Sequence, residues 1–246
     1  MSESRREAGA VDRGIYDPVY VANLFDRCSS NYRRWSAVSS FGFTFLWRRQ
    51  CVARLDSPAK QGGVAVDLMA GTGEVWPHLL RQFPNLSTIT AIDIPHRMHL
   101  EAVDRLHGSR ADQITHIEAD VLEADLPGDY ADLVVSTFGL KTFSENQQTV
   151  LAQRIAKVLK PGGTFSLIEA SDPKGWMLRP VYRFYLDRAL PQIERFFLKG
   201  ANDFSMIGTY TRNFGSCAHM VKALRDAGLD VSEKRHFFWL RHQCSR

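Results

Sequence analysis

The sequence predicts a doubly wound α/β fold, with a seven-stranded, mostly parallel sheet that carries helices on both faces. Five short apolar runs alternate with amphipathic stretches between residues 62 and 172, which is typical of right-handed βαβ units. Two more strand-like runs close the chain and predict a C-terminal hairpin on the same sheet. The length of 246 residues suits one domain with additions better than two independent domains.

The N-terminal region divides into a tail and a helical segment. Residues 1–15 are polar, lack the apolar stretch of a signal peptide, and are expected to be flexible. The folded domain is expected to span residues 16–246. Its first part, residues 20–56, predicts a lid of two helices, VANLFDR and FTFLWRRQCVARL. Since no apolar stretch there is long enough to span a bilayer, we expect a cytoplasmic protein.

The middle of the chain, residues 62–172, predicts the strands and helices of the core. The runs are apolar on both faces, as expected for parallel strands covered by helices on two sides. The predicted strands are VAVDLM (64–69), STITAID (87–93), ITHIEAD (114–120), ADLVVSTF (131–138) and TFSLIEA (164–170). The predicted helices are 74–83, 95–107 and 146–160, the last of which stops at Pro161-Gly162-Gly163.

The C-terminal third contains two different parts. Residues 173–214 are rich in aromatic residues and arginine and predict a cover over a ligand site. Residues 215–246 predict a helix at 215–227, followed by a hairpin of LDVSEK and HFFWL. Aromatic residues at helical spacing are more often packed in a core than in contact with a ligand. We nevertheless interpret residues 173–214 as an apolar roof.

Composition argues against several classes of function. The net charge of +4 comes from scattered basic residues rather than a dense patch, so no nucleic-acid partner is expected. The four cysteines form no CxxC motif. His96 and His99 lie three residues apart but have no third ligand nearby, so no metal is expected.

A glycine motif follows the first predicted strand. Gly71 and Gly73 lie at a strand-to-helix turn, where a missing Cβ lets the backbone approach a ligand. Trp76 stands where the dinucleotide-binding motif would have its third glycine. Asp93 ends the next strand, where its carboxylate can accept hydrogen bonds from a ribose diol. Asp67 can orient the glycine loop and meet an amino group.

These features favour a cofactor with a ribose and an amino-acid tail but without a pyrophosphate. S-adenosylmethionine is such a cofactor, and S-adenosylhomocysteine is its product. Because ligands of open α/β sheets bind at the carboxyl ends of the strands, we expect the binding residues there. Asp120 is expected near the adenine amino group. The predicted cofactor-binding residues are Asp67, Met69, Ala70, Gly71, Thr72, Gly73, Asp93, Ile94, Asp120, Val121, Ser136, Thr137 and Phe138.

Several motifs follow one another along the chain: Asn31-Tyr32, Ser40-Phe41-Gly42, Trp47-Arg48, Asp67-Leu68, Gly71-Thr72-Gly73, Phe138-Gly139-Leu140, Leu159-Lys160-Pro161-Gly162-Gly163, Glu169 and Ser171. In this order they resemble the motifs of the ubiquinone/menaquinone-biosynthesis C-methyltransferases. The resemblance covers nearly the whole chain after residue 20 and implies a class I methyltransferase. The Leu-Lys-Pro-Gly-Gly turn is common to many methyltransferases and supports the class more than the family.

The chain departs from the family pattern near the expected acceptor site. It has Arg33 where the family usually has Asp, Ser36 where the family has Asn, and Lys141-Thr142 where the family has Arg-Asn. The resemblance therefore implies methyl transfer but leaves the acceptor open between a quinol and another small, apolar aromatic molecule.

Three residues are candidates for catalysis. Lys141 could stabilise a developing phenolate or be a solvated loop lysine. Tyr32 matches the family's N-terminal tyrosine and could be a lid residue or an ordinary packing aromatic. Glu169 could be a base or could anchor the neighbouring loop. For the acceptor itself, the predicted contacts are Tyr32, Phe138, Lys141, Tyr182 and Tyr185.

Other functions compete with methyl transfer to a small molecule. A nucleic-acid aminomethyltransferase is disfavoured, because the fourth strand ends in Ser-Thr-Phe-Gly-Leu instead of a polar-Pro-Pro-aromatic motif. An NAD-dependent oxidoreductase is disfavoured by Trp76. Two alternatives stay open: a specialised-metabolite C-, N- or O-methyltransferase, and a protein that binds S-adenosylmethionine without transferring methyl. Peripheral membrane association and a homodimer also stay open.

Overall fold

The structure of the chain is a computed structural model. It describes residues 14–56, 62–105, 111–172, 175, 177–197, 205–236 and 241–245. The expectation that residues 1–15 are flexible therefore falls almost entirely outside the described residues. Within them, no helix is both long and apolar enough to cross a membrane.

A seven-stranded sheet organises the fold, as the sequence predicted. Its strand order is β3-β2-β1-β4-β5-β7-β6, in which β1 to β5 are parallel and β7 is antiparallel to both β5 and β6. The strands are β1 (Gly63–Leu68), β2 (Leu86–Asp93), β3 (Ile114–Glu118), β4 (Ala131–Thr137), β5 (Leu159–Ala170), β6 (Ser232–His236) and β7 (Arg241–Ser245).

Helices precede the sheet, connect its strands and cover one end of it. They are α1 (Pro18–Ser39), α2 (Phe43–Val52), α3 (Trp76–Gln82), α4 (His96–Arg105), α5 (Glu145–Val158), α6 (Arg179–Phe184), α7 (Leu190–Phe197), α8 (Ser205–Phe214) and α9 (Ala218–Asp226). A π-helical segment, Tyr185–Ala189, joins α6 to α7.

The central strands are buried on both faces. Leu133 of β4 packs in the cluster on one side of the sheet, and its neighbour Val134 packs in the cluster on the other side. The chain moves outward from β1 to β3 and then returns to β4, which pairs directly with β1. This reversal creates a switch point between β1 and β4, where open α/β sheets form their ligand crevice.

The helix α1 is longer than the sequence predicted. Asp17 caps its N-terminus, because the carboxylate accepts hydrogen bonds from the amides of Val19 and Tyr20, both at 3.0 Å. Pro18 occupies the first turn, where its missing N–H is not needed. The polar stretch after residue 27 obscured the helical periodicity, so the helix was expected to end too early.

Three predicted strands differ in the structure. The prediction that each run is apolar on both faces was wrong for β3, because β3 lies at the sheet edge and exposes Thr115 and Glu118. β5 begins at Leu159, five residues early, and its register against β4 shifts near Ala131. In the hairpin, β6 begins at Ser232 and the last strand is 241–245. Most of the predicted HFFWL strand lies outside the described residues.

A substitution at Gly73 tests how tightly the glycine loop is packed. A Cβ at Gly73 would overlap the buried Trp76 ring, and φ there is +69°. We expect Gly73→Ala to lower the free energy of unfolding by about 2–4 kcal/mol, from left-handed strain plus overpacking. Gly228→Ala is the control, because φ is +88° but the space is open. It should cost about 1–2 kcal/mol. Equal losses in urea denaturation would contradict the packing argument.

Candidate active site

The glycine loop after β1 is fastened to the end of β2. The amide of Gly71 donates to Asp93 Oδ2 at 2.6 Å, and the amide of Ile94 donates to Asp93 Oδ1 at 2.9 Å. Gly71 has φ of +57°, and no atom lies within 4 Å of the position of a Cβ there. The loop therefore presents bare backbone to open space, directly beside a half-buried carboxylate.

Asp67 holds the ring of Trp76, which packs against the glycine loop at Gly73. The indole Nε1 donates to Asp67 Oδ2 at 2.8 Å, and the ring fills the space over Gly73. This packing explains why a tryptophan can stand in the place of the third glycine. Asp67 Oδ1 is buried and has no hydrogen-bond partner among the described residues. Burial raises the pKa of this carboxyl group to about 8.

A cavity of about 790 Å³ opens at the carboxyl ends of β1, β2 and β4, and we call it the glycine-loop cavity. Nine residues predicted as cofactor ligands lie in its lining: Met69, Ala70, Gly71, Asp93, Ile94, Asp120, Val121, Thr137 and Phe138. The other four, Asp67, Thr72, Gly73 and Ser136, lie in the layer behind that lining, where Thr72 Oγ1 donates to Glu74 at 2.5 Å.

The N-terminal segment supplies residues that sequence reasoning missed. Tyr16, Val21, Phe25 and Arg48 all border the glycine-loop cavity. Two hydrogen bonds tie the start of this segment to the body: Gln147 Nε2 donates to the Tyr16 carbonyl and Tyr210 Oη donates to the Ile15 carbonyl. Contacts between residues this far apart in the chain leave no local signal in the sequence.

A buried ion pair lies at one end of the same cavity. Arg48 Nη2 is 3.1 Å from Glu74 Oε2, and the Arg48 side chain is 6% exposed. The guanidinium also lies over the Phe138 ring, 5.4 Å from its centroid. Arg48 Nε is buried and has no acceptor among the described residues.

A second cavity of about 780 Å³ lies beside the first, and we call it the aromatic cavity. Phe25, Tyr32 and Phe138 line both cavities, so the two cavities adjoin at these three side chains. The other lining residues are Trp35, Ser36, Ser39, Ser40, Thr44, Trp47, Lys141, Ala170, Tyr182, Tyr185, Leu186, Leu190, Ile207 and Thr211. All five residues predicted to contact an acceptor line the aromatic cavity: Tyr32, Phe138, Lys141, Tyr182 and Tyr185.

Lys141 is buried in an ion pair and is not a solvated loop lysine. It is 4% exposed, and its Nζ donates to Glu169 Oε1 at 2.8 Å and to the Phe138 carbonyl at 2.5 Å. The Lys141 amide donates to Glu169 Oε2 at 3.0 Å, and the Ala170 amide donates to Oε1. Since both carboxylate oxygens are engaged, the structure favours the interpretation of Glu169 as an anchor over that of a base.

Tyr32 lies where the two cavities adjoin. Burial, followed by the negative charge of Glu74, raises the pKa of its hydroxyl well above the usual range. Tyr32 therefore stays protonated at neutral pH, and it can donate a hydrogen bond but cannot act as a base.

The cover is partly described. Tyr182 and Tyr185 face the aromatic cavity, and the Tyr185 hydroxyl donates to the Ser39 carbonyl, which fastens the cover to α1. Phe184 points outward and is 65% exposed. The side chains of Phe196 and Phe197, also expected in the cover, lie outside the described residues.

Solved structures with this fold include methyltransferases and one relative with another activity. Human N-acetylserotonin methyltransferase, solved with S-adenosylmethionine, is 20% identical and has a TM-score of 0.56, over 89% of this chain and 58% of that one. The [4+2]-cyclase SpnF is 16% identical with a TM-score of 0.60, over 88% of this chain and 74% of that one. The fold is that of the α/β methyltransferases.

Comparison of the sequence with protein families places the chain in one family within this fold. The profile of the ubiE/COQ5 methyltransferase family matches residues 15–238, so the chain belongs to that family of S-adenosylmethionine-dependent methyltransferases. A relative from Shewanella halifaxensis, named ubiquinone/menaquinone biosynthesis C-methyltransferase UbiE, is 24% identical over 211 residues, 85% of this chain and 82% of the relative. The resemblance recognised in the sequence is thereby confirmed.

The Lys141–Glu169 pair should stabilise the fold strongly. Lys141→Met leaves the Glu169 carboxylate buried without its cation, and we expect the free energy of unfolding to fall by about 3–5 kcal/mol. The double variant Lys141→Met/Glu169→Gln should recover at least half of that loss, because no lone charge is left. Urea denaturation measures both.

The exposed pair Lys222–Asp226, at 74% and 62% exposure, provides the control. Lys222→Met should change the free energy of unfolding by less than about 0.5 kcal/mol. If Lys141→Met lowers the free energy of unfolding as little as Lys222→Met does, the buried pair does not stabilise the fold as proposed.

Proposed function

We propose that the chain transfers the methyl group of S-adenosylmethionine to a small, largely apolar aromatic acceptor that carries an ionisable hydroxyl, such as a quinol or phenol. The observation that carries this proposal is the pair of adjoining cavities. They meet at Phe25, Tyr32 and Phe138, and a buried lysine lies on the aromatic side. A methyl donor in one cavity and an acceptor in the other would meet at the junction that these three side chains line.

The glycine-loop cavity suits the cofactor. The Asp93 carboxylate lies where it can accept hydrogen bonds from both ribose hydroxyls, while Ile94 and Val121 offer apolar surfaces to an adenine ring. Asp120 lies in the lining near Val121, although its Oδ1 also accepts from the Leu122 amide at 2.9 Å. The open space above Gly71 would admit the cofactor's chain against bare backbone.

The aromatic cavity suits an acceptor that reacts as an anion. Its described lining contains Lys141 and hydroxyl groups but no carboxylate, so a cationic amine would lack a counter-charge. Tyrosine and tryptophan rings, including Tyr182 and Trp35, supply flat apolar surfaces. These features support a phenol, enol or hydroquinone over an amine.

The residues of the chain would divide the chemistry between them. S-adenosylmethionine supplies a methyl group activated on a sulfonium. The Lys141 ammonium uses two of its three hydrogens on Glu169 and Phe138, which leaves one to bind an acceptor oxygen and favour its ionised form. The neutral Tyr32 hydroxyl can donate a second hydrogen bond at the junction. Most of the acceleration would come from holding donor and acceptor in line.

The alternative of a non-quinone acceptor has its own support. Two of the positions that depart from the family pattern, Ser36 and Lys141, lie in the lining of the aromatic cavity. Because the lining determines which acceptor fits, a specialised metabolite is a second candidate substrate. Binding of S-adenosylmethionine without methyl transfer is a third reading, since SpnF shares the fold and is named a cyclase.

A label-transfer assay tests the proposal. The purified chain is incubated with trideuteromethyl-S-adenosylmethionine and a cell extract, and mass spectrometry follows the label in small-molecule, protein and nucleic-acid fractions. We expect label in an apolar aromatic metabolite. Label confined to a polymer would overturn the acceptor class. No label in any fraction, with cofactor binding intact, would favour the reading without methyl transfer.

Asp93 should make cofactor binding sensitive to acid. Burial raises the pKa of Asp93 to about 6, so the free site takes up a proton below that pH. Only the ionised carboxylate accepts from both ribose hydroxyls, so the affinity for S-adenosylhomocysteine should fall as the pH drops below about 6, by up to about tenfold per unit. Calorimetric titration from pH 5 to 8 measures this.

The matched variant for the pH experiment is Asp93→Asn, which cannot ionise. It should bind more weakly at pH 8, and the fall in affinity centred near pH 6 should be missing. A wild-type affinity that is constant from pH 5 to 8 would argue against Asp93 as the ribose ligand.

Lys141 should affect turnover more than cofactor binding. Once an acceptor is known, Lys141→Met should lower kcat by about 10²–10³-fold, because the cation opposite the developing oxyanion is lost. Lys141→Arg keeps the charge and should stay within about tenfold of the wild type. Both variants should bind S-adenosylhomocysteine as the wild type does. Similar turnover in Lys141→Met and Lys141→Arg would remove Lys141 from the mechanism.

A further inference from the structure

We propose that Arg48 forms a carboxylate-binding subsite at one end of the glycine-loop cavity, and that this subsite binds the α-carboxylate of the cofactor's amino-acid part. This inference rests on the proposed function, because it takes the glycine-loop cavity as the cofactor site. It assigns to a residue of the N-terminal lid a direct contact with the cofactor.

One N–H group of the Arg48 guanidinium has no hydrogen-bond acceptor among the described residues. Arg48 Nη2 pairs with Glu74 Oε2 at 3.1 Å, whereas Arg48 Nε is buried without an acceptor in that part of the chain. Glu74 is committed elsewhere as well, because its Oε1 accepts from Thr72 Oγ1 at 2.5 Å. A guanidinium presents its N–H groups in a flat fork that matches a carboxylate. A ligand carboxylate in the cavity would supply the acceptor that Nε lacks.

Charge along the cavity supports the same assignment. Among the described residues of the lining, Arg48 is the one basic side chain, while Glu74, Asp93 and Asp120 are acidic. Asp93 lies at the end of β2, beside Ile94, and Arg48 reaches the cavity from α2, on the side of Phe138. An anionic group of a ligand would therefore be placed at Arg48 rather than beside the three carboxylates.

Helix α2, which carries Arg48, also contributes residues to the aromatic cavity. Trp47, the neighbour of Arg48, and nearby Thr44 line that cavity. Binding of a carboxylate to Arg48 would hold α2 against the sheet edge and so support the wall of the acceptor site. Without a ligand, Glu74 keeps the guanidinium in place.

Calorimetric titration with two probes tests the inference. S-adenosylhomocysteine has the carboxylate, whereas 5′-methylthioadenosine has the same adenosine and sulfur but no amino-acid part. We expect Arg48→Met to weaken the binding of S-adenosylhomocysteine by about 10- to 100-fold, which is the usual effect of losing a hydrogen bond to a charged group. Binding of 5′-methylthioadenosine should change by less than about twofold and thereby show that the site is still folded.

Two further variants complete the design. Arg48→Lys keeps a charge but loses the flat fork, and its loss should lie between those of the wild type and Arg48→Met. Arg49→Met removes the exposed neighbouring arginine and should leave both affinities unchanged. Equal weakening of both probes by Arg48→Met, or no weakening of either, would overturn the carboxylate subsite.

The wild-type chain separates this inference from the proposed function. If it binds neither probe, the glycine-loop cavity is not the cofactor site and the proposed function fails. If it binds both probes equally well, the cofactor site stands but the carboxylate contributes nothing, and the Arg48 subsite is overturned.

Discussion

Two carboxylates hold the sheet edge on which the candidate site is built. Asp93, at the end of β2, accepts the Gly71 amide of the loop that follows β1, and Glu169, at the end of β5, accepts the Lys141 amide of the turn that follows β4. In each case an outer strand stabilises the loop of its inner neighbour. Because β1 and β4 flank the switch point, both loops border the crevice and their backbones must be satisfied locally.

These anchors also determine which atoms face the two cavities. Asp93 leaves the glycine loop open toward the first cavity, and Glu169 turns the Lys141 ammonium toward the Phe138 carbonyl and the second cavity. Phe138 itself has φ of +69°, a conformation that few non-glycine residues adopt. Gly139 follows it, and a Cβ there would lie 2.6 Å from the Met69 side chain. The close contact of these two loops brings the cavities next to each other.

The N-terminal helices complete both cavities from outside the sheet. Tyr32 and Phe25 of α1 line the junction of the cavities, and Arg48 of α2 brings a positive charge into a lining whose other charged side chains are acidic. Asp26 on α1 accepts from the Arg97 amide at 2.8 Å, at the start of α4, so the lid is also fastened near the end of β2. Lid and sheet edge thus form one surface, and both contribute to the lining of each cavity.

The sequence by itself determined the sheet, its strand-to-helix order and the edge at which the glycine loop lies, because alternating apolar runs and turn residues are local signals. It also identified the glycine loop and Asp93, since their spacing follows from one βα unit. Other features depended on contacts between distant residues and were decided by the tertiary structure. The Arg48–Glu74 pair and the Lys141–Glu169 pair join segments 26 or more residues apart. The exposure of β3 followed from its position at the edge of the sheet, and the role of Trp76 from its burial against Asp67. A residue's type is local, but its burial and its partner arise only when the chain packs, and they decide whether Lys141 is a solvated charge or a buried cation facing a cavity.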